Sequence, residues 1–170
     1  HRPRSPHRGP MSHQGTIALR VATVTVSDTR TAADDRSGDA LVARVLAAGW
    51  EHLGHTIVPD DPARIQSAVR DAVARGADAV LLSGGTGIAP RDQTYEAVTA
   101  MLVKTLDGFG EAFRRLSWDE IGPRAILSRA VAGTVDRAVV VALPGSTGAV
   151  ALGMDRLVVP TLGHMVALLR

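Results

Sequence analysis

Ala77-Asp78-Ala79-Val80-Leu81-Leu82 runs directly into Ser83-Gly84-Gly85-Thr86-Gly87-Ile88-Ala89-Pro90-Arg91-Asp92, a buried strand followed by a glycine turn. Three glycines within four residues leave backbone N–H groups uncovered by side chains, which is how a loop approaches a phosphate closely. A tight strand-to-helix turn needing positive φ would use the same glycines, and the local sequence admits both readings. No Gly-Lys-Ser/Thr follows, so the loop is not a P-loop, and it does not fit the dinucleotide fingerprint G-x-G-x-x-G. Thr86 either donates to a phosphate or bonds back to its own turn. Asp92 either faces a metal bound to the anion or caps a helix expected from Thr94 to Val103.

Outward from this junction, strands and amphipathic helices alternate. Ile17 to Ser27, mostly apolar and β-branched, reads as a buried strand. A polar loop, residues 30–36, leads to a helix with Leu41, Val42, Val45 and Leu46 on one face and Gly49 near its end. His55 to Pro59 reads as a short strand, and Asp61 and Pro62 as the N-cap and first position of a helix to about Arg75. Its core face is Ile65, Ala68, Val69, Ala72 and Val73. Residues 108–121 read as a less regular region containing a helix with Phe109, Phe113 and Leu116.

Val131 to Val135 and Ala138 to Leu143, separated by Asp136-Arg137, form a hairpin that places one antiparallel strand in the sheet. Two further helices are expected, from Ser146 to about Leu157 and from Pro160 through Leu169. The pattern predicts an α/β fold: right-handed βαβ units, a mostly parallel sheet and helices on both faces. With no internal repeat or linker, residues 15–170 read as one domain, large enough to bury about 70 % of its unfolded surface.

Residues 1–14 read as a disordered tail, a cloning remnant or an overextended start, with Met11 the natural initiator. The first ten residues carry three arginines and no acid; without them the 19 basic side chains fall to 16, against 17 acidic ones. The folded part therefore has no basic excess, and with five aromatic residues it offers nucleic acid no stacking surface. Cysteine is absent, which excludes disulfides, thiolate metal sites and a cysteine nucleophile. No apolar run approaches the roughly 20 residues of a membrane span, and the expected location is the cytoplasm.

In such folds ligands bind beyond the carboxyl ends of the strands. The polar clusters fall there: Ser27-Asp28, Asp60, Gly84 to Gly87, and Pro144-Gly145-Ser146. Each has a purely structural alternative. Asp60 would share a cap with Asp61, Asp28 would close an Asx turn, and Ser146 would cap the helix it precedes. His52 and His55 read as surface or strand-edge residues, His164 as packing or capping, and Trp118 with Phe109 and Phe113 as core. No Gly-x-Ser-x-Gly elbow supports a Ser-His-Asp hydrolase.

Together these residues resemble the molybdopterin-binding family of molybdenum cofactor biosynthesis, the MoaB/MogA group. The resemblance spans about residues 20–170. It rests on Val26-Ser27-Asp28, Ser37-Gly38, Val58-Pro59-Asp60, Ser83 to Asp92 with Thr94 and Glu96-Ala97, Gly108-Phe109-Gly110-Glu111, Ala125-Ile126-Leu127-Ser128-Arg129 and Leu143-Pro144-Gly145-Ser146. Ala142, where proven adenylyltransferases of the family often carry Asn, is typical of the MoaB branch.

The resemblance implies a three-layer α/β/α domain, a homotrimer or a hexamer built as a dimer of trimers, that binds molybdopterin. Catalytic members join the terminal phosphate of molybdopterin to AMP from Mg-ATP and release pyrophosphate. By the same resemblance Asp60 and Asp92 are the catalytic residues, holding Mg²⁺ or its waters. Ser27, Asp28, Gly84, Gly85, Thr86, Gly87, Ser117, Ser128, Pro144, Gly145 and Ser146 bind substrate and nucleotide. A non-catalytic molybdopterin carrier or scaffold is the alternative, and a generic nucleotide-binding regulator a third. Retention of both Asp60 and Asp92 favours the enzyme, because two carboxylates beside an anionic ligand help only with a metal between them.

Overall fold

The order in which six strands pair determines where this chain's loops meet. A computed structural model describes residues 18–170. The expectations for residues 1–14, and for the start of the first strand at Ile17, lie outside the described residues. The elements are β1 (Arg20–Val26), α1 (Arg36–Ala47), β2 (Glu51–Val58), α2 (Pro62–Ala74), β3 (Ala79–Ser83), α3 (Thr94–Thr99), β4 (Lys104–Thr105), α4 (Asp107–Ile121), β5 (Val131–Val135), β6 (Ala138–Leu143), α5 (Thr147–Gly153) and α6 (Val159–Leu169). A 3₁₀ turn, Gly122–Leu127, follows α4, and a π-helical segment, Met154–Val158, joins α5 to α6.

The sheet order is β2-β1-β3-β6-β5-β4. β2, β1, β3 and β6 run parallel, β5 runs against β6, and the two-residue edge strand β4 runs against β5. One strand, β5, therefore points the other way. From β1 the chain goes to one neighbour, β2, and then crosses to the other, β3, which puts the switch in strand order at the carboxyl ends of β1 and β3.

Alternation along the strands sends side chains to two cores. Val21, Leu81 and Val141 pack with Leu41, Phe113, Val150 and Leu162 on one face. Ala22, Val24, Val80 and Leu82 pack with Ile65, Val69 and Val98 on the other. Helices α1, α4, α5 and α6 thus cover one side and α2 and α3 the other, giving three layers. Asp61 caps α2 by accepting from the Ala63 N–H at 3.3 Å, as its place before Pro62 predicts.

Several elements differ from the sequence reading. β2 starts at Glu51, not His55, because a bulge at Gly54 (φ +122°) carries the strand through what reads as a break. The extra residue also turns His52 and His55 to the same face, and both ring nitrogens lie 2.8 Å from Thr23 Oγ1. His55 Nε2 is also 2.8 Å from Asp35 Oδ2, so the two histidines sit on the edge strand, as one of the two readings had it, but in an inward network. Burial, with His55 adding, pushes the His52 imidazole below its ordinary pKa. α3 stops at Thr99 because the chain turns into edge pairing, with the Val103 N–H donating to the Thr134 carbonyl at 2.8 Å.

α4 is a regular 15-residue helix rather than an irregular region. The two expected final helices are one continuous helix, Thr147–Leu169, because the π segment absorbs Pro160: the Val159 N–H bonds back to Met154, five residues away. By length and composition alone that helix is apolar enough to cross a membrane, although Asp155 and Arg156 interrupt its apolar residues. Its Val150, Met154, Val158, Leu162 and Val166 are instead buried in the core beside the sheet. Trp118 is half exposed, not core, and His164 is exposed on α6.

Phe113 is buried, its ring 6.4 Å from that of Phe109 in a stacked pair. Phe113→Ala should cost about 3–5 kcal/mol. The urea midpoint measures it, and a loss under about 1 kcal/mol would contradict this account of the core.

Candidate functional site

Three strand-end loops meet at two glycines. Gly84 (φ +100°) passes beneath the end of β1, where an added Cβ would lie 2.3 Å from the Val26 carbonyl oxygen. Its N–H donates to the Leu143 carbonyl at 2.9 Å, and a Cβ on Gly145 would lie 3.2 Å from Gly84 Cα. The β3 loop is thus wedged between the ends of β1 and β6. Above it opens a cleft of about 530 Å³.

The cleft gathers most of the expected residues. Ser27, Asp28, Asp60, Gly84, Gly85, Thr86, Gly87, Asp92, Ser128, Pro144, Gly145 and Ser146 all line it. Ser117 does not: it is buried on α4. Thr29, Arg30, Arg91 and Leu127 line the cleft as well and are new to the set. Arg30 had a signal in the sequence, a lone cation in the loop after β1. Its Nη2 donates to the Gly145 carbonyl at 3.1 Å and Nη1 donates to Ser37 Oγ, tying the β1 loop to the β6 loop.

Hydrogen bonds decide between the alternatives left open by the sequence. Asp60 does not share the α2 cap; its Oδ1 accepts the Gln93 N–H ahead of α3 at 2.9 Å. Asp28 Oδ1 in turn accepts the Asp60 N–H at 2.9 Å, so it bridges two strand ends instead of closing its own turn. Ser27 closes that turn, its Oγ accepting the N–H groups of Thr29 and Arg30. Asp92 Oδ2 accepts the Ala89 N–H at 2.9 Å and shapes the glycine loop without capping α3. Ser146 is an N-cap, accepting the Ala149 N–H at 3.1 Å, while it also lines the cleft.

Among the described residues no protein acceptor takes the N–H of Gly85, Thr86, Gly87 or Ile88. Three of these, on Gly85, Thr86 and Gly87, belong to residues that line the cleft, and consecutive free backbone donors of this kind form a ready anion site. Beneath them Ser83 Oγ and Thr94 Oγ1 are buried without a partner among the described residues. The Gly85 position is confined from that side, since a Cβ there would lie 2.2 Å from Thr94 Oγ1 and 2.8 Å from Asp60 Oδ2.

Three carboxylates, Asp28, Asp60 and Asp92, share the cleft with Arg30 and Arg91. Burial pushes the Asp60 carboxyl above its ordinary pKa, and the charges of Asp92 and Asp28 push the same way, against the Gln93 N–H and Arg91. Ala142 is fully buried between Leu82 and Val131 in the sheet and contributes nothing to the cleft.

Over this cleft the family comparison is decisive: a family model described as "Probable molybdopterin binding domain" matches residues 22–164. The chain belongs to the molybdopterin-binding domain family. It is 48% identical over 154 residues to Molybdenum cofactor biosynthesis protein B of Bacillus anthracis, covering 89% of this chain and 91% of that protein. A crystal structure of a molybdenum cofactor biosynthesis protein B superposes with a TM-score of 0.87 at 47% identity, over 89% of this chain and 96% of the other. The tungsten cofactor synthesizing protein MoaB of Pyrococcus furiosus superposes with a TM-score of 0.83 at 36% identity, over 91% and 98%. The expected MoaB/MogA relationship, nearer MoaB, is thus correct, and so is the expected α/β fold.

In this molybdopterin-binding domain the raised Asp60 pKa has a consequence for stability. The folded state holds that proton more tightly than the unfolded chain, so charged Asp60 costs stability above the folded pKa. Asp60→Asn keeps an acceptor for Gln93 and should raise the thermal midpoint at pH 7. The gain should shrink on acidification and vanish by about pH 3, below the unfolded pKa. An equal gain at both pH values would refute this electrostatic account.

Proposed function

We propose that this chain acts in molybdenum cofactor biosynthesis by joining the terminal phosphate of molybdopterin to AMP from Mg-ATP, releasing pyrophosphate. The observation that carries the reading is the run of uncommitted N–H groups on Gly85, Thr86 and Gly87, three residues that line a cleft also holding Asp60 and Asp92. Relatives named for molybdenum cofactor biosynthesis support the pathway.

In this transfer an oxygen of the molybdopterin phosphate attacks the α-phosphorus of ATP. A new P–O bond forms, the bond from the α-phosphorus to the oxygen bridging to the β-phosphorus breaks, and pyrophosphate leaves with the electron pair. No protein nucleophile is needed; the task is positioning and charge stabilisation. The glycine-loop N–H groups bind phosphate oxygens. Ser27 and Ser146 use their oxygens as acceptors within the chain, which leaves each hydroxyl proton free to donate to a phosphate. Arg30 and Arg91 bring positive charge to the same wall.

The donor set fits magnesium. Among the described residues no group of three or more His, Cys, Asp or Glu side chains could hold a metal by itself. Magnesium asks for less: one or two carboxylates, with substrate phosphates and waters completing its shell. Asp60 and Asp92 would hold it; burial, with the charges of Asp92 and Asp28 adding, raises the Asp60 pKa, and a cation there would offset both. When bound, the ion neutralises charge on the phosphates.

Pure protein incubated with molybdopterin, ATP and Mg²⁺ should yield adenylylated molybdopterin and pyrophosphate. Asp92→Asn should lower turnover by roughly a hundredfold or more while retaining molybdopterin binding. Wild type that binds molybdopterin but forms no product would instead be a carrier, and ATP binding without any pterin dependence would point to a nucleotide-binding regulator.

The same reading expects a homotrimer or a dimer of trimers. Trp118 and Ile126, both exposed, share one surface hollow with Arg114, Arg115 and Asp119, and such an assembly would cover its apolar part. Light scattering should return the mass of a trimer or hexamer; a monomer would contradict it.

A further inference from the structure

Beside the glycine loop sits one partly buried cation, Arg129, which divides its side-chain hydrogen bonds between that loop and the Glu96 carboxylate. Arg129 Nε and Nη2 donate to the Gly87 carbonyl at 3.0 and 2.7 Å, and Nη2 also reaches the Asp92 carbonyl at 3.3 Å. The Arg129 backbone N–H donates to the Thr86 carbonyl at 3.1 Å. The guanidinium is itself fixed, since Nη1 pairs with the Glu96 carboxylate and the group lies 5.0 Å from the centroid of the Tyr95 ring.

We propose that Arg129 is a positioning residue that preforms the anion cradle, its planar fork tying the Gly87 and Asp92 carbonyls together while its backbone N–H holds Thr86. The inference deepens the adenylyltransferase reading and rests on it for its functional meaning. Its physical basis is peptide planarity: C=O and N–H point in opposite directions across a trans peptide. With the Thr86 and Gly87 carbonyls taken by Arg129, the N–H groups of Gly87 and Ile88 are turned away from it, and these are two of the four uncommitted donors.

Glycine is the costliest residue to order, so a loop with Gly84, Gly85 and Gly87 needs such an external tie if it is to be preorganised. The Asp92 carbonyl bond extends the same tie to the turn that carries the Asp92 carboxylate, closed by the Asp92 Oδ2 bond to the Ala89 N–H. Arg129 does not line the cleft, so it acts through the loop and not on a ligand. Lysine cannot replace it: an ammonium lacks the flat fork that reaches two carbonyls and a carboxylate at once.

The test uses the full chain with Arg129→Ala and Arg129→Lys. Amide hydrogen exchange of the ligand-free proteins reads Ala89 and Asp92, both protected by the loop's own bonds, against the β3 and β6 amides as an internal reference. Molybdopterin affinity and the split between kcat and KM for adenylylation are read alongside. In both variants exchange at Ala89 and Asp92 should accelerate about tenfold or more with the strands unchanged, and molybdopterin should bind about tenfold more weakly.

Methylguanidinium should restore part of the affinity to Arg129→Ala and none to Arg129→Lys. Unchanged loop exchange in Arg129→Lys overturns the inference, whatever the catalytic result. If wild type forms no adenylylated product while the exchange of the variants accelerates, the proposed reaction fails and the clamp stands. Should Arg129→Ala not fold, Arg129→Lys carries the test, because it keeps the charge opposite Glu96.

Discussion

The close passage of Gly84 beneath the Val26 carbonyl is the constraint on which the cleft depends. Only a residue without a Cβ fits between the end of β1 and Gly145, and only a residue that tolerates φ +100° makes the turn. Because the passage is so tight, the loops after β1, β3 and β6 are packed on one another instead of splaying apart. The bonds from Asp28 to Asp60 and from Asp60 to Gln93 then bring in the fourth strand end and the start of α3. A parallel sheet supplies the convergence, and the glycines let it close to contact distance.

This closure concentrates charge of both signs. Backbone N–H groups on the glycine loop favour an anion, while Asp28, Asp60 and Asp92, lining the same cleft, resist one unless a cation intervenes. In the free protein burial, with the charges of Asp92 and Asp28 adding, already raises the Asp60 pKa. Under the proposed function, an anionic substrate bound together with a divalent ion would resolve this conflict.

Much of this was legible residue by residue. The glycine run, the Asp61-Pro62 helix start and the apolar hairpin from Val131 to Leu143 carry their structure in local sequence, and each element lies where it reads. Less was legible where distant parts compete with local preference. Gly54 reads as a strand break but is a bulge, because pairing with β1 on both sides of it outweighs glycine's freedom. Pro160 reads as a helix start but sits inside a continuous helix, because burial of Val158 and Leu162 outweighs the lost N–H and a π turn accommodates it. Trp118 reads as core yet half of it faces outward. Arg129 closes one of the motifs that carry the family resemblance, but nothing in the sequence says that its side chain grips Gly87.

The sequence by itself determined the alternation of strands and helices, the four strand ends that carry polar groups and the family to which the chain belongs, because hydrophobic period and turn chemistry are local properties. Tertiary structure decided which of two roles each polar residue takes. Asp60 and Asp92 could each have been a cap; that Asp60 holds Gln93 from another strand and Asp92 shapes the glycine loop depends on which strands are neighbours. It also decided that Ser117 is buried away from the cleft while Arg30 joins it. Hydrogen-bond partners far apart in sequence are set by strand order, and strand order follows from packing two cores at once.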